Sequence, residues 1–412
     1  MEESVKIEKL GNIVDVKGGK RLPKGISLIS TPNNHPYIRI RDLGASKILE
    51  LNSAYEYVDD ETQKTIARYI VSSGDILISI VGTIGLVGIV GDSLHGANQT
   101  ENCVKLVNLK GIDRDYLYYF LSSNLGQNEI KRGIVGAVQS KLPIKNIENI
   151  NIPLPSLALQ KSIASILSSL DSKIELNRRI NDNLEQQAQA LFKSWFVDFE
   201  PFKDGKFVDS EMGMIPEGWK VVQLGEIIEI SKRIINPQKN PDKIFYHYSL
   251  PACDNGLIPE IQSGKDIMSN KIILQNNTIL FSKLNPRIKR IWFACDVLND
   301  SICSTEFIPY RAKNERESVY IYSIINSDSF YASVLGCVNG ATGSHQRFHA
   351  EDTLGLLFPY KKDIVDKYID LVKPVLAEIH KLRIENKTLA LTRDSLLPRL
   401  MSGELKFNDL NN

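Results

Sequence analysis

The chain has 412 residues, of which 42% are apolar and 24% charged, and its net charge is +1. That length supports two or more domains with separate cores, and the composition is that of an ordinary globular protein. The near-neutral balance excludes a wholly basic surface and leaves any nucleic-acid binding to local faces.

No apolar run reaches the length of a membrane span, and Met1-Glu-Glu-Ser carries neither part of a signal peptide. A cytoplasmic protein with no membrane partner is expected. The five cysteines, Cys103, Cys253, Cys295, Cys303 and Cys337, are scattered without a C-x-x-C pair. Neither a disulfide framework nor a metal site is expected from them.

In chain order, residues 1–155 read as a first mixed domain. Short β-type runs (Tyr37-Ile-Arg-Ile-Arg41, Asp75-Ile-Leu-Ile-Ser-Ile-Val81, Cys103-Val-Lys-Leu-Val107) alternate with Gly and Asn turns. The stretch Asp115–Ser123 has helical periodicity. Ile152-Pro-Leu-Pro155 ends extended structure, and Ser156 is placed as the N-cap of a long helix over 156–200.

That helix carries a heptad seam: Ile163, Leu167, Leu170, Ile174, Asn177, Asn181, Leu184, Ala188, Leu191, Trp195. It ends in a dense aromatic group, Trp195, Phe196, Phe199 and Phe202, which reads either as a cap on the chain's own core or as a partner-binding patch. A linker over 201–214 follows. A second mixed domain is expected over 215–361, and a second long helix with a C-terminal tail over 362–404. The second seam is Tyr368, Val372, Val375, Ile379, Leu382, Asn386, Leu389, Arg393, Leu396, Leu400. Pro374 lies inside it and is expected to kink the helix or start a new turn.

The two seams are offset by a constant 205 positions, and Asn181 and Asn386 are equivalent in them. Lys9-Leu-Gly-Asn-Ile13 is echoed by Gln223-Leu-Gly-Glu-Ile227, and the offset recurs to within one position in the middle of the domains: Thr100-Glu101 with Thr305-Glu306, Tyr116-Leu-Tyr118 with Tyr320-Ile-Tyr322. The expected fold is therefore mixed α/β (α+β): two globular domains and two long coiled-coil helices in an internal repeat.

Catalytic motifs fail on inspection. Val81-Gly-Thr-Ile-Gly-Leu-Val-Gly88 lacks the G-K-[ST] ending of a phosphate loop. His345 and His349 stand four apart with no H-E-x-x-H pattern and no neighbouring cysteine. Nuclease and methyltransferase signatures are missing too, so the chain is expected not to be an enzyme.

What remains is local basic and amide-bearing residues beside turns. In the first domain these are Lys17, Lys20, Arg21, Lys24, Arg39, Arg41, Gln139 and Lys141. In the second they are Lys283, Arg287, Lys289, Arg290 and the loop Ser344, His345, Gln346, Arg347. Lys and Arg neutralise phosphates, while Arg and Gln can make bidentate contacts to base edges. These are the candidate DNA-binding residues.

The chain also resembles the specificity subunits of type I restriction-modification systems. The resemblance rests on Ile152-Pro-Leu-Pro155, Ile163-Ala-Ser-Ile-Leu167, Asp171-Ser-Lys-Ile-Glu-Leu-Asn177 and Phe192-Lys-Ser-Trp-Phe-Val-Asp-Phe-Glu-Pro201. Ile215-Pro-Glu-Gly-Trp219 and Arg393-Asp-Ser-Leu-Leu-Pro-Arg-Leu-Met-Ser-Gly-Glu404 extend it. Two departures are Ala158-Leu159 before Gln160, where the family carries Glu-Glu, and Phe358-Pro-Tyr-Lys-Lys at the entry to the second helix.

The resemblance implies two target recognition domains, each reading half of a split, asymmetric double-stranded DNA site, with the helices as an antiparallel spacer. It implies two methylation subunits and two motor-endonuclease subunits as partners. Cofactors would be absent from this chain, with S-adenosylmethionine, ATP and Mg in the partners. The competing expectation is a coiled-coil scaffold that binds proteins only; a self-contained DNA methyltransferase is weakened by the missing motifs.

Overall fold

The run Ile76–Ser79 shows how each domain is built. Ile76, Leu77 and Ile78 are all fully buried, because successive side chains leave a strand on opposite faces and both faces are covered. Ile76 and Ile78 enter one apolar cluster and Leu77 another. The counterpart Thr278–Ser282 does the same, with Ile279 and Phe281 on one side and Leu280 on the other.

The computed structural model describes residues 6–44, 46–136, 139–337 and 347–405. It divides into two compact units, Met1–Ile174 with Thr388–Asn412, and Glu175–Lys387, so each unit holds a segment of both long helices. No helix among the described residues is long and apolar enough to cross a membrane.

In the first unit, Lys6–Lys9 pairs antiparallel with Asn151–Leu154 and leads into the one-turn helix Leu10–Ile13. A five-stranded sheet follows in the order Asp15–Gly18, Cys103–Val107, Ile76–Ser79, Val87–Val90, Ile48–Leu49. A smaller sheet joins Glu56–Tyr57, Pro36–Ile38 and Asn98–Gln99, the last two parallel. The expected strand over 37–41 stops at Ile38. The Asp42 carboxylate accepts the Arg39 N–H at 2.7 Å and closes a turn of 3-10 helix, Ile40–Asp42.

The second unit repeats this plan. Lys220–Gln223 pairs with Leu357–Tyr360, the one-turn helix Leu224–Ile227 follows, and the four-stranded sheet runs Ile228–Ile230, Phe307–Ala312, Thr278–Ser282, Ile291–Ala294. Its five-stranded sheet again contains a parallel pair, Ile244–Tyr248 with Ser301–Ser304. Single hydrogen bonds recur as well. Tyr116 Oη donates to Pro153 O at 2.8 Å, and its echo Tyr320 Oη donates to Pro359 O at 2.5 Å. Ser123 and Ser327 cap equivalent helices, Asn124–Arg132 and Asp328–Gly336.

The long helices are Leu157–Phe196 and Lys362–Ser402. Ser156 caps the first, its Oγ accepting Leu159 N–H at 3.4 Å. The second runs through Pro374 without interruption, so no new helix begins there. The lost hydrogen bond is offset by burial of Val372, Leu376 and Ile379 around it.

Within the first unit, Ile163, Ala164 and Leu167 share a core with Leu397, Leu400 and Met401, and Arg393 Nη1 binds Asp171 Oδ1 at 2.7 Å. Within the second, Asn177 Nδ2 donates to Asn386 Oδ1 at 2.9 Å and to Glu385 Oε2 at 2.8 Å. Arg383 meets Glu185, and Tyr368 Oη reaches Ala188 O at 3.4 Å. Rising numbers on one helix thus meet falling numbers on the other: the segments are antiparallel.

This pairs Asn386 with Asn177 rather than with Asn181, its equivalent in the repeat. Antiparallel seams bring equivalent positions face to face only at the symmetry axis. Asn177 is fully buried, so Asn177→Ala removes a buried amide from its half-buried partners and should cost about 1–3 kcal/mol. Thermal unfolding of Asn177→Leu, Asn386→Leu and the double variant checks the pairing: the double should lose less than the two singles added.

Candidate nucleic-acid interface

In the first unit the Lys17–Lys24 segment leaves the edge strand of the five-stranded sheet on a glycine. A Cβ on Gly19 would stand 2.0 Å from Thr100 O, so only glycine permits this approach. Gly19 N–H donates to Cys103 O at 3.2 Å, Lys20 N–H to Gln99 O at 3.3 Å, and Tyr37 Oη to Lys20 O at 3.0 Å. The backbone is pinned while Lys17, Lys20 and Lys24 remain exposed. Lys20 Nζ lies 5.9 Å from the Tyr69 ring, near the limit of a cation–π contact.

The arginines of the same set are held differently. Arg21 Nε binds Glu101 Oε1 at 2.8 Å. Burial works against the charge of Glu101, yet the Arg21, Thr100 and backbone hydrogen bonds hold its carboxyl below the usual range. Arg39 and Arg41 both converge on Glu56. Lys141 is exposed, its backbone paired with Val135 at 2.9 Å in both directions, and Gln139 is exposed too.

Asp42, beneath Arg41, is pushed up to about 6 by burial, with the Arg41 charge opposing and Glu56 adding to the shift. A carboxyl whose folded value lies above its ordinary 3.8 adds stability when protonated and loses it as pH rises. Its contribution is full below about pH 4 and gone above about pH 6. Asp42→Asn should therefore unfold at a higher temperature than the parent at pH 7, and the gap should close at pH 4.

In the second unit Lys283 and Arg347 gather at Glu306, the repeat equivalent of Glu101. Lys283 N–H donates to Glu306 O at 2.9 Å, and Arg347 grips its carboxylate with Nε at 3.2 Å and Nη2 at 3.1 Å. Each unit thus pairs one arginine with an equivalent glutamate, Arg21 with Glu101 and Arg347 with Glu306, and the two arginines come from different places in the chain. Lys283, Thr305 and His349 line a shallow groove there, with Lys232 tied to Glu351 at 3.7 Å across it.

Other candidates are drawn elsewhere. Arg290 is bidentate to Asp254 at 2.6 and 2.9 Å. Lys289 donates to Asn326 O at 2.6 Å and covers the Tyr331 ring, whose hydroxyl donates to Arg287 O. The Arg287 side chain is left exposed. Ser344, His345 and Gln346 lie outside the described residues.

Two sets of carboxylates in this arrangement had no signal in the sequence as charge partners. Glu101 and Glu306 stood out only as marks of the repeat, not as anchors for arginine. Glu56 and Asp254 did not stand out at all. Gln160, fully buried, ties the first helix to its domain: its Oε1 accepts Asp113 N–H at 2.8 Å and its Nε2 donates to Pro155 O at 2.9 Å.

The aromatic group is also resolved by burial. Phe196 and Phe199 are 2% and 9% exposed, packed with Trp219, Tyr320 and Tyr368 in the second unit's core. Of the two readings of this group, burial agrees with the core cap for those two rings. Trp195 and Phe202 are half-buried, 6.1 Å from Tyr368 and 5.2 Å from Trp219 respectively.

The chain is similar along its length to known proteins. Residues 2–186 match the family model described as type I restriction modification DNA specificity domain. The MjaVIII specificity subunit of a type I restriction enzyme from Methanocaldococcus jannaschii is 30% identical, over 95% of this chain and 96% of that one. This chain belongs to the type I restriction enzyme specificity subunits. The MjaIX specificity subunit of the same organism is 26% identical over 98% of this chain and 94% of its own length. In fold, this specificity subunit matches the crystal structure of the S subunit from M. genitalium, with a TM-score of 0.54 and 17% identity over 97% of each chain.

Proposed function

We propose that the chain is the sequence-specific DNA-recognition subunit of a type I restriction-modification complex, reading a split, asymmetric duplex site with one half assigned to each recognition domain. The observation that carries this is the repeated fold with unlike basic sets: each unit pairs an arginine with an equivalent glutamate, Arg21 with Glu101 and Arg347 with Glu306, and the exposed basic residues around them differ. Identical halves would read a palindrome; unlike halves read two different sequences.

The division of labour follows. Arg21, Arg39, Arg41, Arg290 and Arg347 are already engaged with carboxylates, so they order loops and present edges. Lys17, Lys20, Lys24, Lys141 and Arg287 lie exposed on the surface and neutralise phosphates. The chain itself is non-catalytic. Two methylation subunits supply the S-adenosylmethionine chemistry and two motor-endonuclease subunits use ATP and Mg. The long helices set the spacing between half-sites and carry the methylation subunits, with Trp195 and Phe202 at the edge of that surface. The setting is the cytoplasm.

Binding of the purified chain, alone and with its methylation partners, to a panel of duplexes over a range of salt tests the reading. Lys20→Ala should weaken binding to every duplex alike and reduce the salt slope by about one. A chain that binds no duplex in a salt-dependent way, yet still assembles with proteins, would be a scaffold and would end this reading.

A further inference from the structure

Cys295 and Asp296 lie in the loop after strand Ile291–Ala294, and His380 lies on the second long helix; all three belong to the second unit. Among the described residues, these form the one group of three His, Cys, Asp or Glu side chains whose donor atoms all lie within 4.8 Å of one another. His380 Nε2 stands 3.8 Å from Asp296 Oδ2. We propose that Cys295, Asp296 and His380 bind a divalent cation of the zinc class and clip this loop to the second long helix.

Sulfur, imidazole nitrogen and carboxylate oxygen together are a donor set for zinc rather than for magnesium or calcium, which take oxygen. Tetrahedral zinc holds such donors about 3.2–3.8 Å apart, given bonds of about 2.0–2.3 Å. The three atoms must therefore close by about 1 Å, and the means are present, because the Asp296 side chain is 83% exposed and free to swing. That exposure also provides the entry path, with water as the fourth ligand.

Two further observations fit. Asp296 has φ of +54° without being glycine, so the loop backbone turns in the left-handed region at this position. Arg383, one turn beyond His380, has its guanidinium paired with Glu185, which offsets the charge that would otherwise oppose a cation. On binding, the Cys295 thiol gives its proton to solvent, so thiolate and carboxylate together neutralise the ion.

The full-length chain, stripped with a chelator, is titrated with cobalt(II) and with zinc. One cobalt per chain is expected, with the thiolate-to-cobalt charge-transfer band of a four-coordinate ion. Cys295→Ser should lose that band, His380→Gln should lose stoichiometric binding, and Cys337→Ser should keep both. Zinc at a hundredfold its Kd should raise the unfolding midpoint of the parent by about 5 °C and leave that of His380→Gln unmoved. If Cys295→Ser fails to fold, the zinc shift in the half-buried His380 variant decides alone. Absence of the charge-transfer band in the parent, its survival in Cys295→Ser, or an undiminished zinc shift in His380→Gln overturns the proposal.

Discussion

Phe196→Ala is expected to destabilise the second unit by about 3–5 kcal/mol, the cost of removing a large buried ring that its surroundings cannot refill. Phe196 is 2% exposed and sits among four aromatic partners, with ring centroids 5.3 Å from Phe192, 4.9 Å from Tyr320, 5.2 Å from Tyr368 and 5.7 Å from Trp219. These rings come from the first helix, the second helix and the domain between them. Their contacts hold the second unit's segments of the long helices to the domain between them. Since whole domains are stable by only about 5–15 kcal/mol, a loss of this size should leave the unit partly unfolded at moderate temperature.

Chemical denaturation followed by tryptophan fluorescence measures the effect, because Trp219 lies in the same cluster. Phe202→Ala, at a half-buried ring, should cost less. If Phe196→Ala keeps full stability and loses only its association with methylation subunits, the ring belongs to a docking surface after all.

Exchanging residues 1–155 for a first domain of different specificity should change one half of the methylated site completely and leave the other half as it was. The physical basis is the separation of cores. Leu10, Ile76, Ile78, Val104 and Leu106 pack in one cluster of the first unit, and Ile279, Phe281, Ile308 and Tyr310 in a different cluster of the second. The graft must keep Gly111 and Asp113, whose backbone groups bond to Gln160, so that the helix still enters its domain correctly. Mapping methylated positions in cells that carry the exchanged chain with its partners reads the outcome. A change in both halves would show that the two domains do not read independently.

The sequence alone determined the features that depend on periodicity. Strand alternation put Ile76 and Leu77 into different clusters. Heptad stepping named the seam residues that are buried, from Ile163 and Leu167 to Tyr368 and Ile379. The offset of 205 residues announced two copies of one fold, because the positions that preserve a core repeat even where the surface has diverged.

Tertiary structure decided what depends on neighbours remote in the chain. Which asparagine meets Asn386 follows from helix direction, and a seam reads the same for parallel and antiparallel pairs. The aromatic end of the first helix reads in the sequence either as a core cap or as a partner-binding patch, and Trp219, Tyr320 and Tyr368 pack against its Phe196. The arginines among the basic candidates cannot be separated from the lysines by composition. Their carboxylate partners, Glu101, Glu56, Asp254 and Glu306, lie 80, 17, 36 and 41 residues from Arg21, Arg39, Arg290 and Arg347. Cys295 and His380 are 85 residues apart, and no spacing rule reaches across that interval. Periodicity is a local property that says which face of an element is buried; charge pairing and ligand sets are made by elements meeting, and only the packed fold brings them together.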